Sequence, residues 1–318
     1  MSRLKMERVV VTGATSMIGV ALIEALMSDP EIGVVYAVIR PGSSNIMRLP
    51  HDNRIRIIEC DTKDYHQLVS LVDSPCDVFF HLAWPRTPTY EESLEEVITK
   101  SLNIQTVLYA ADSALKLGCR SFVGAGSQSE YGVYGDGPLS PNSDCKPVRA
   151  DGIIHLAAGQ LAMNMLECSE REIACSWMRI FSVYGINDRL NSMIMTTVRR
   201  LMKGEHCAYT PAEQRWDYLY ADDIGRAFYL VGKKVTGSHI YCVGSGKAKP
   251  LREYIETIRD IVSPGVAIGI GELPYPKKPV MDLCADISSL NKDTGWMPEV
   301  SFEEGITRIY NSFSNLER

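Results

Sequence analysis

Long apolar runs are missing from this chain. Nowhere do its 318 residues hold the roughly 18 consecutive apolar side chains that cross a bilayer, so no membrane-spanning helix is expected. No C-x-x-C pair occurs among the nine scattered cysteines, Cys60, Cys76, Cys119, Cys145, Cys168, Cys175, Cys207, Cys242 and Cys284. They read as reduced, mostly buried thiols rather than a disulfide frame or a zinc site. The six histidines, His51, His66, His81, His155, His206 and His239, show no metal-ligand spacing, and no metal is expected. Positive charge is not in excess either. Against 33 basic residues stand 39 acidic ones, a formal net charge of -6. Such a surface does not attract nucleic acid or an anionic membrane, and neither is an expected partner. Arg3, Lys5 and Arg8 lie near the start, but no long apolar stretch or small-residue cleavage site accompanies them. The cytoplasm is therefore the expected location. No internal repeat or low-complexity tract is present.

What is present is ordinary globular material, 45% hydrophobic and 23% charged, in a length that suggests about two domains. Residues 8–11, Arg-Val-Val-Val, carry a continuous β-branched run, as in a strand buried on both faces. Helix is expected over 17–27, 65–72, 91–117, 152–169, 191–203 and 251–262. Strands are expected over 33–39, 54–58, 77–82, 120–125 and 174–181. Gly118 is placed to cap the longest helix. Residues 132–150 and 264–279 are rich in turn formers and read as loop and connector, with Lys277 and Lys278 solvated. Strand and helix alternating in this way imply a parallel sheet with helices on both faces. The rhythm breaks after Tyr184, and a smaller, less regular portion follows.

The first strand meets the first helix in Val11-Thr12-Gly13-Ala14-Thr15-Ser16-Met17-Ile18-Gly19. A glycine at such a turn lets the backbone approach a pyrophosphate, and a helix N-terminus offers free N–H groups and a positive dipole end. Context, a strand before and a helix after, is what gives the motif weight; a ligand-free βα turn is the alternative. Ser16 takes the middle glycine of a G-x-x-G-x-x-G pattern, where its hydroxyl can meet a phosphate. The second strand ends at Arg40, where an NAD site usually carries an acidic residue for the ribose 2′-hydroxyl. A cation there suits a 2′-phosphate, which points to NADP ahead of NAD. A solvated surface arginine is the bland alternative.

Together with these residues, a series of ordered landmarks resembles the extended short-chain dehydrogenase/reductase family, the nucleotide-sugar epimerases, dehydratases and 4-ketoreductases. Cys60-Asp61 resembles the point where an aspartate contacts adenine. His81-Leu82-Ala83-Trp84 resembles the H-L-A-A segment on the nicotinamide side, and Asn103 the asparagine of the following helix. Gly126 to Gly132, containing Ser127, Ser129 and Tyr131, resembles the strand end with the catalytic Ser or Thr. Arg179-Ile180-Phe181-Ser182-Val183-Tyr184-Gly185 resembles R-x-x-N-x-Y-G, with Ser182 for Asn. Trp216 to Asp223 resembles R-D-F-x-x-V-D-D, with Trp216 for Arg. Ala285-Asp286 and Gly295-Trp296-Met297-Pro298 resemble C-terminal landmarks.

The resemblance implies an α/β fold, a doubly wound parallel sheet of the Rossmann kind with a second, smaller α/β substrate lobe. The cofactor domain would be 1–181, with 217–246 returning to it, and the substrate lobe 182–216 and 247–318. The cofactor would contact Gly13, Ser16, Met17, Ile18, Gly19, Arg40, Asp61, Leu82, Ala83 and His155. A nucleotide-activated sugar would contact Trp84, Ser129, Tyr131, Arg179, Ser182, Arg215 and Trp216, an arginine forking onto diphosphate and a ring stacking on a base. Pro85 and Tyr218 belong to the same group. For the aromatic residues, packing is the alternative. The helices at 91–117 and 152–169 correspond to the pair through which family members form homodimers, although their apolar residues could equally face the sheet.

One departure stands out. Members usually read P-x-x-x-Y-G-x-x-K where this chain reads Pro147-Val148-Arg149-Ala150-Asp151-Gly152-Ile153-Ile154-His155. Pro147 and Gly152 hold the register. Asp151 thus stands at the catalytic Tyr and His155 at the Lys that lowers its pKa and binds the ribose. An aspartate, with an ordinary pKa near 3.9, is a weak base for an alcohol. Four apart on one helix face, Asp151 and His155 can pair, which would charge His155. Three readings follow: an enzyme with altered acid/base residues, Ser127, Asp151 and His155 among them; a binding or regulatory protein that has lost catalysis; or a solvated helix N-terminus with the register off. A Ser127-His155-Asp151 hydrolase lacks the G-x-S-x-G elbow.

Overall fold

The computed structural model describes residues 6–85, 93–132, 137–171, 173–276 and 279–316. The expected helical start at Glu91 and the linker residues Lys277 and Lys278 lie outside these. In chain order the elements are β1 (Arg8–Thr12), α1 (Met17–Met27), β2 (Val34–Ile39), β3 (Ile55–Glu59), α2 (Leu68–Leu71) and β4 (Val78–His81). Then come α3 (Leu94–Lys116), β5 (Ser121–Ser127), α4 (Ala150–Glu167), β6 (Ala174–Ile180) and β7 (Ser182–Tyr184). The remainder comprises α5 (Met193–Met202), β8 (Ala208–Tyr209), β9 (Arg215–Trp216), β10 (Tyr218–Tyr220), α6 (Ala221–Lys234), β11 (His239–Val243), β12 (Lys249–Pro250), α7 (Leu251–Val262), β13 (Gly269–Ile270), α8 (Ser288–Thr294) and α9 (Phe302–Leu316).

Seven strands form one parallel sheet in the order β3-β2-β1-β4-β5-β6-β11. This is the doubly wound α/β arrangement the alternation implied. Successive residues of β1 point to opposite faces. Val9 and Val11 enter the apolar cluster containing Leu22, Ile224 and Phe228 of α1 and α6. Val10 enters the cluster containing Val107, Ala110 and Ala158 of α3 and α4. A run of valines therefore makes a strand buried on both sides. Strand order reverses between β1 and β4, and ligands of such sheets bind at that crevice.

Several local readings differ from observation, and β11, α8 and α9 were not among the expected elements. Residues 65–72 are not one helix: a 3-10 turn over Thr62–Gln67 precedes the short α2, because Asp61 caps it early by accepting the Lys63 N–H at 3.2 Å. Helix α6 was not anticipated, yet Asp222 and Asp223 occupy its first turn and Lys233 and Lys234 its last. Those charges complement the helix dipole and are a usable signal. Helix α6 packs hard on α1: a Cβ on Gly225 would fall 2.4 Å from the Ala21 carbonyl carbon. A third apolar cluster gathers Tyr184, Ile194, Val198, Ile258 and Ile306 from β7, α5, α7 and α9. No helix among the described residues is long and apolar enough to cross a membrane.

Candidate functional site

The Gly13 turn is shaped by its neighbours. Gly13 has φ +67°, and a Cβ there would lie 2.9 Å from Ala83 N and from the Leu82 carbonyl carbon. Only glycine meets both demands without strain. Thr12 Oγ1 accepts the N–H groups of Leu82 (3.2 Å) and Ala83 (3.4 Å) and lies 2.9 Å from His81 Nδ1. The ends of β1 and β4 are thus clamped together under the crevice. A Cβ on Gly19 would stand 2.3 Å from Gly13 O, so the helix starts tight against the loop. Ser16 is the N-cap of α1, its Oγ accepting Gly19 N–H at 3.0 Å, which leaves its O–H as a donor. The N–H groups of Met17 and Ile18, in the first turn, have no intrahelical acceptor. Two backbone donors and one hydroxyl at a helix N-terminus form a fitting phosphate cradle.

Beyond the end of β2, Arg40, Gly42, Ser43, Ser44, Asn45 and Asp61 border a cavity of 380 Å³. Arg40 is exposed and has no side-chain partner among the described residues. One cation with hydroxyl and amide neighbours suits a phosphate or ribose group.

The other end of the crevice lies beyond β4 and β5. Trp84, directly after Ala83, donates from Nε1 to Ala125 O at 2.8 Å, and its ring centroid is 3.6 Å from that of His155. At the end of β5, Ser127 Oγ accepts from Ser129 N (3.1 Å) and Ser129 Oγ (2.8 Å), while Glu130 accepts Ser127 N–H at 2.9 Å. Helix α4 starts against this turn, since a Cβ on Gly152 would lie 2.2 Å from Ser129 O. Ser127, Ser129, Asp151, His155 and Trp84 are therefore brought to one place. Ser127 bonds to Ser129 and not to His155, so no hydrolase triad is formed.

Several expectations need correction. Asp151 and His155 do not make a charged pair. Asp151 Oδ1 is 3.4 Å from Lys100 Nζ. His155 lies under Trp84, and burial lowers its pKa to about 4 against the opposing pull of Asp151. Its Nδ1 is buried without a hydrogen-bond partner. Burial thus favours a neutral imidazole where a cation was expected. Arg179 and Tyr131 are engaged by other groups of the protein. Arg179 Nε donates to Glu130 Oε2 at 2.8 Å and its Nη1 to Tyr131 OH at 3.0 Å and Pro141 O at 3.1 Å. Tyr131 OH in turn donates to Ser140 O at 2.7 Å. Both are buried, and a buried guanidinium requires such partners.

On the other side, Trp216 Nε1 of β9 donates to Ser182 Oγ of β7 at 2.8 Å, just before β10 pairs with β7. Arg215 is half exposed, donates to Ala248 O at 2.7 Å and lies 3.9 Å from Asp282. Tyr218 packs edge-on to Tyr184 and Tyr254. Asp217 fixes this segment by accepting from Ser245, Gly246 and Ala285 N–H groups.

Sequence reasoning missed Lys100, buried on α3. A signal existed: Lys100 shares the helix face of Asn103, Val107, Ala110 and Ala114, all buried. A charge on the core face of a helix asks for a partner.

Comparison with known proteins places these features in company. The profile of the NAD dependent epimerase/dehydratase family matches residues 9–244. A UDP-glucose 4-epimerase of Mycolicibacterium smegmatis is 25% identical over 97% of this chain and 99% of its own. Among solved structures, MoeE5 in complex with UDP-glucose and NAD superposes with TM-score 0.80 at 26% identity, over 97% of this chain and 99% of that one. A UDP-glucose 4-epimerase of Thermotoga maritima with UDP-glucose gives TM-score 0.83 at 20% identity, over 98% and 100%.

Proposed function

The chain belongs to the NAD dependent epimerase/dehydratase family, and from that premise we propose that it is an enzyme acting at the 4-position of a nucleotide-activated sugar, by epimerisation, dehydration or 4-keto reduction. The observation that carries the reading is a continuous link. Ala83 abuts the Gly13 turn, and Trp84, the next residue, packs its ring against His155 of the helix that carries Asp151. A phosphate cradle and a catalytic helix so joined suit a dinucleotide lying across the switch point.

When bound, a nicotinamide cofactor donates or accepts the hydride. The chain's own residues do the rest. Gly13, Ser16, Met17, Ile18 and Gly19 hold the pyrophosphate, Asp61 the adenine side, and Leu82 and Ala83 the nicotinamide side. His155 Nδ1, buried without a partner, meets a ribose hydroxyl. Ser127, with Ser129 beside it, orients the sugar oxygen; Trp84, Ser182, Arg215 and Trp216 border the sugar nucleotide. Free Arg40 and its hydroxyl neighbours favour NADP, whereas MoeE5 is seen with NAD. Residues 182–216 and 247–318 serve as the substrate lobe, the protein works in the cytoplasm, and it pairs as a homodimer through α3 and α4.

A second reading, a binding or regulatory protein without turnover, draws on the neutral His155 and the aspartate in the tyrosine's place. Calorimetric titration with NADPH and NADH, followed by incubation with intact and 4-keto UDP-, CDP-, dTDP- and GDP-sugars, separates the two. Turnover is the expected result. Cofactor binding without turnover, repaired by Asp151→Tyr with His155→Lys, would establish the second reading. Arg40→Glu is expected to reverse a preference for NADPH; tighter NADH binding by the wild type would overturn the NADP assignment.

A further inference from the structure

We propose that Lys100 of α3 is the group that exchanges a proton with the sugar oxygen, and that Asp151 is its positioning residue. The inference rests on the enzymatic reading above and deepens it. Three observations lead there. The position from which the family's tyrosine acts holds an aspartate, shorter than a tyrosine by most of an aromatic ring and far too weak a base for an alcohol. The position of the family's lysine holds an imidazole that burial keeps neutral. Neither residue of α4 restores what was lost, yet a cation is present: the Lys100 side chain, 4% exposed, reaches across from α3 to within 3.4 Å of Asp151 Oδ1.

Asp151 is 47% exposed, so the pair lies near the surface with the ammonium on its buried side. An ammonium carries three donors, and Asp151 is its ionic partner among the described residues. Its remaining N–H groups suit a hydroxyl or carbonyl oxygen. Like the missing phenol, and unlike an aspartate, a lysine ammonium carries a proton at neutral pH that it can give to an oxygen. In the reducing direction one N–H bond of Lys100 breaks as the O–H bond of the new alcohol forms. The nitrogen keeps the electron pair as an amine, and water at the exposed edge of Asp151 returns the proton. The hydride to carbon comes from a dihydronicotinamide. Oxidation of the alcohol runs the same transfer backwards.

Binding tests this without turnover. Wild type, Lys100→Met, Lys100→Gln and Asp151→Asn are titrated with UDP-glucose, UDP-4-deoxyglucose and UDP, or with the same set on whichever base the wild type binds. A hydrogen bond from a charged donor predicts roughly 10-fold or greater weakening of the 4-hydroxy sugar in both Lys100 variants. The 4-deoxy sugar and the bare nucleotide should bind unchanged, and NADPH affinity should be kept. For a sugar that the wild type turns over, kcat should fall by about 100-fold or more. Equal weakening of all three ligands, or of none, overturns the proposal, as does unchanged kcat. Should Lys100→Met not fold, Lys100→Gln decides alone. If the wild type binds no nucleotide sugar, the enzymatic reading falls and takes this one with it; if it binds and the Lys100 variants discriminate nothing, only this one falls.

Discussion

At His155 one ring shows what burial does to charge. The imidazole is partly covered by Trp84, with its Nδ1 buried, and removal from water lowers its pKa to about 4. His81, wholly buried beside Thr12, is lowered to about 3 by the same cause. In the unfolded chain both titrate near 6.5. Between that pH and about 4 the unfolded chain binds protons that the folded protein refuses, so stability falls as pH falls through that window. Each histidine contributes a slope of at most about 1.4 kcal/mol per pH unit. We expect the melting temperature to drop between pH 7 and pH 5 at constant ionic strength, and His155→Gln to flatten part of that drop. An unchanged slope in the variant would show that His155 is solvated. This neutral state was not legible in the sequence. Spacing shows that residues 151 and 155 share a helix face, but Trp84, which covers one of them, comes from a segment 71 positions earlier. The turn at Gly13, Ser16 and Gly19 was legible because strand, glycine and cap lie within a dozen residues and every constraint there is local.

Elements deliver side chains that spacing cannot. Lys100 belongs to α3 and its partner Asp151 to α4, so their approach depends on how two helices pack on one sheet face. The same holds for the turn after β5. The serine expected there is braced by a buried network that also takes up Tyr131 and, from β6, Arg179. Glu130 Oε1 accepts from Ser127 N–H and Trp177 Nε1, both at 2.9 Å, and Oε2 accepts from Arg179 Nε at 2.8 Å. The carboxylate joins the tip of β5 to β6 and neutralises a guanidinium that is itself buried. Removing one partner of such a pair leaves an uncompensated charge, a cost of about 3–5 kcal/mol. Glu130→Ala should lower the denaturant midpoint by a corresponding amount. Glu130→Gln, which keeps an acceptor for Ser127 N–H, should cost less. Ser127 loses its bracing in the alanine variant, so activity is expected to fall even in the fraction that folds. If both variants melt with the wild type, the network does not hold this turn.

For the whole molecule, alternation of strands and helices was enough to foresee a parallel doubly wound sheet, whereas the later part was obscure because its strands, β7 to β10 and β12 to β13, are two or three residues long and pair in separate two-stranded ladders with partners far along the chain. An acidic chain can still receive an anionic ligand, since a helix N-terminus and Arg40 act within a few ångströms while the net charge acts on polyanions. Assembly is the remaining question at this scale. On α3, Leu94, Ile98 and Leu102 recur every four residues and all are exposed; on α4, Ile153 and Leu161 are exposed likewise. Their helices already use other faces, with Val107 and Ala110 on one and Ala158 and Ala162 on the other in the core. Two apolar stripes on adjoining helices are unusual for a surface that stays wet. Pairing α3 and α4 with the same two helices of a second copy about a twofold axis would cover both stripes in a four-helix interface. We expect wild-type protein to scatter light as a dimer at micromolar concentration. Ile98→Glu with Leu102→Glu should give a monomer, because four carboxylates would then face one another across the axis. NADPH affinity should persist in that monomer, since neither residue borders the Gly13 turn or the Arg40 cavity. A wild-type monomer at the same concentration would rule out this assembly and leave the stripes to a different partner.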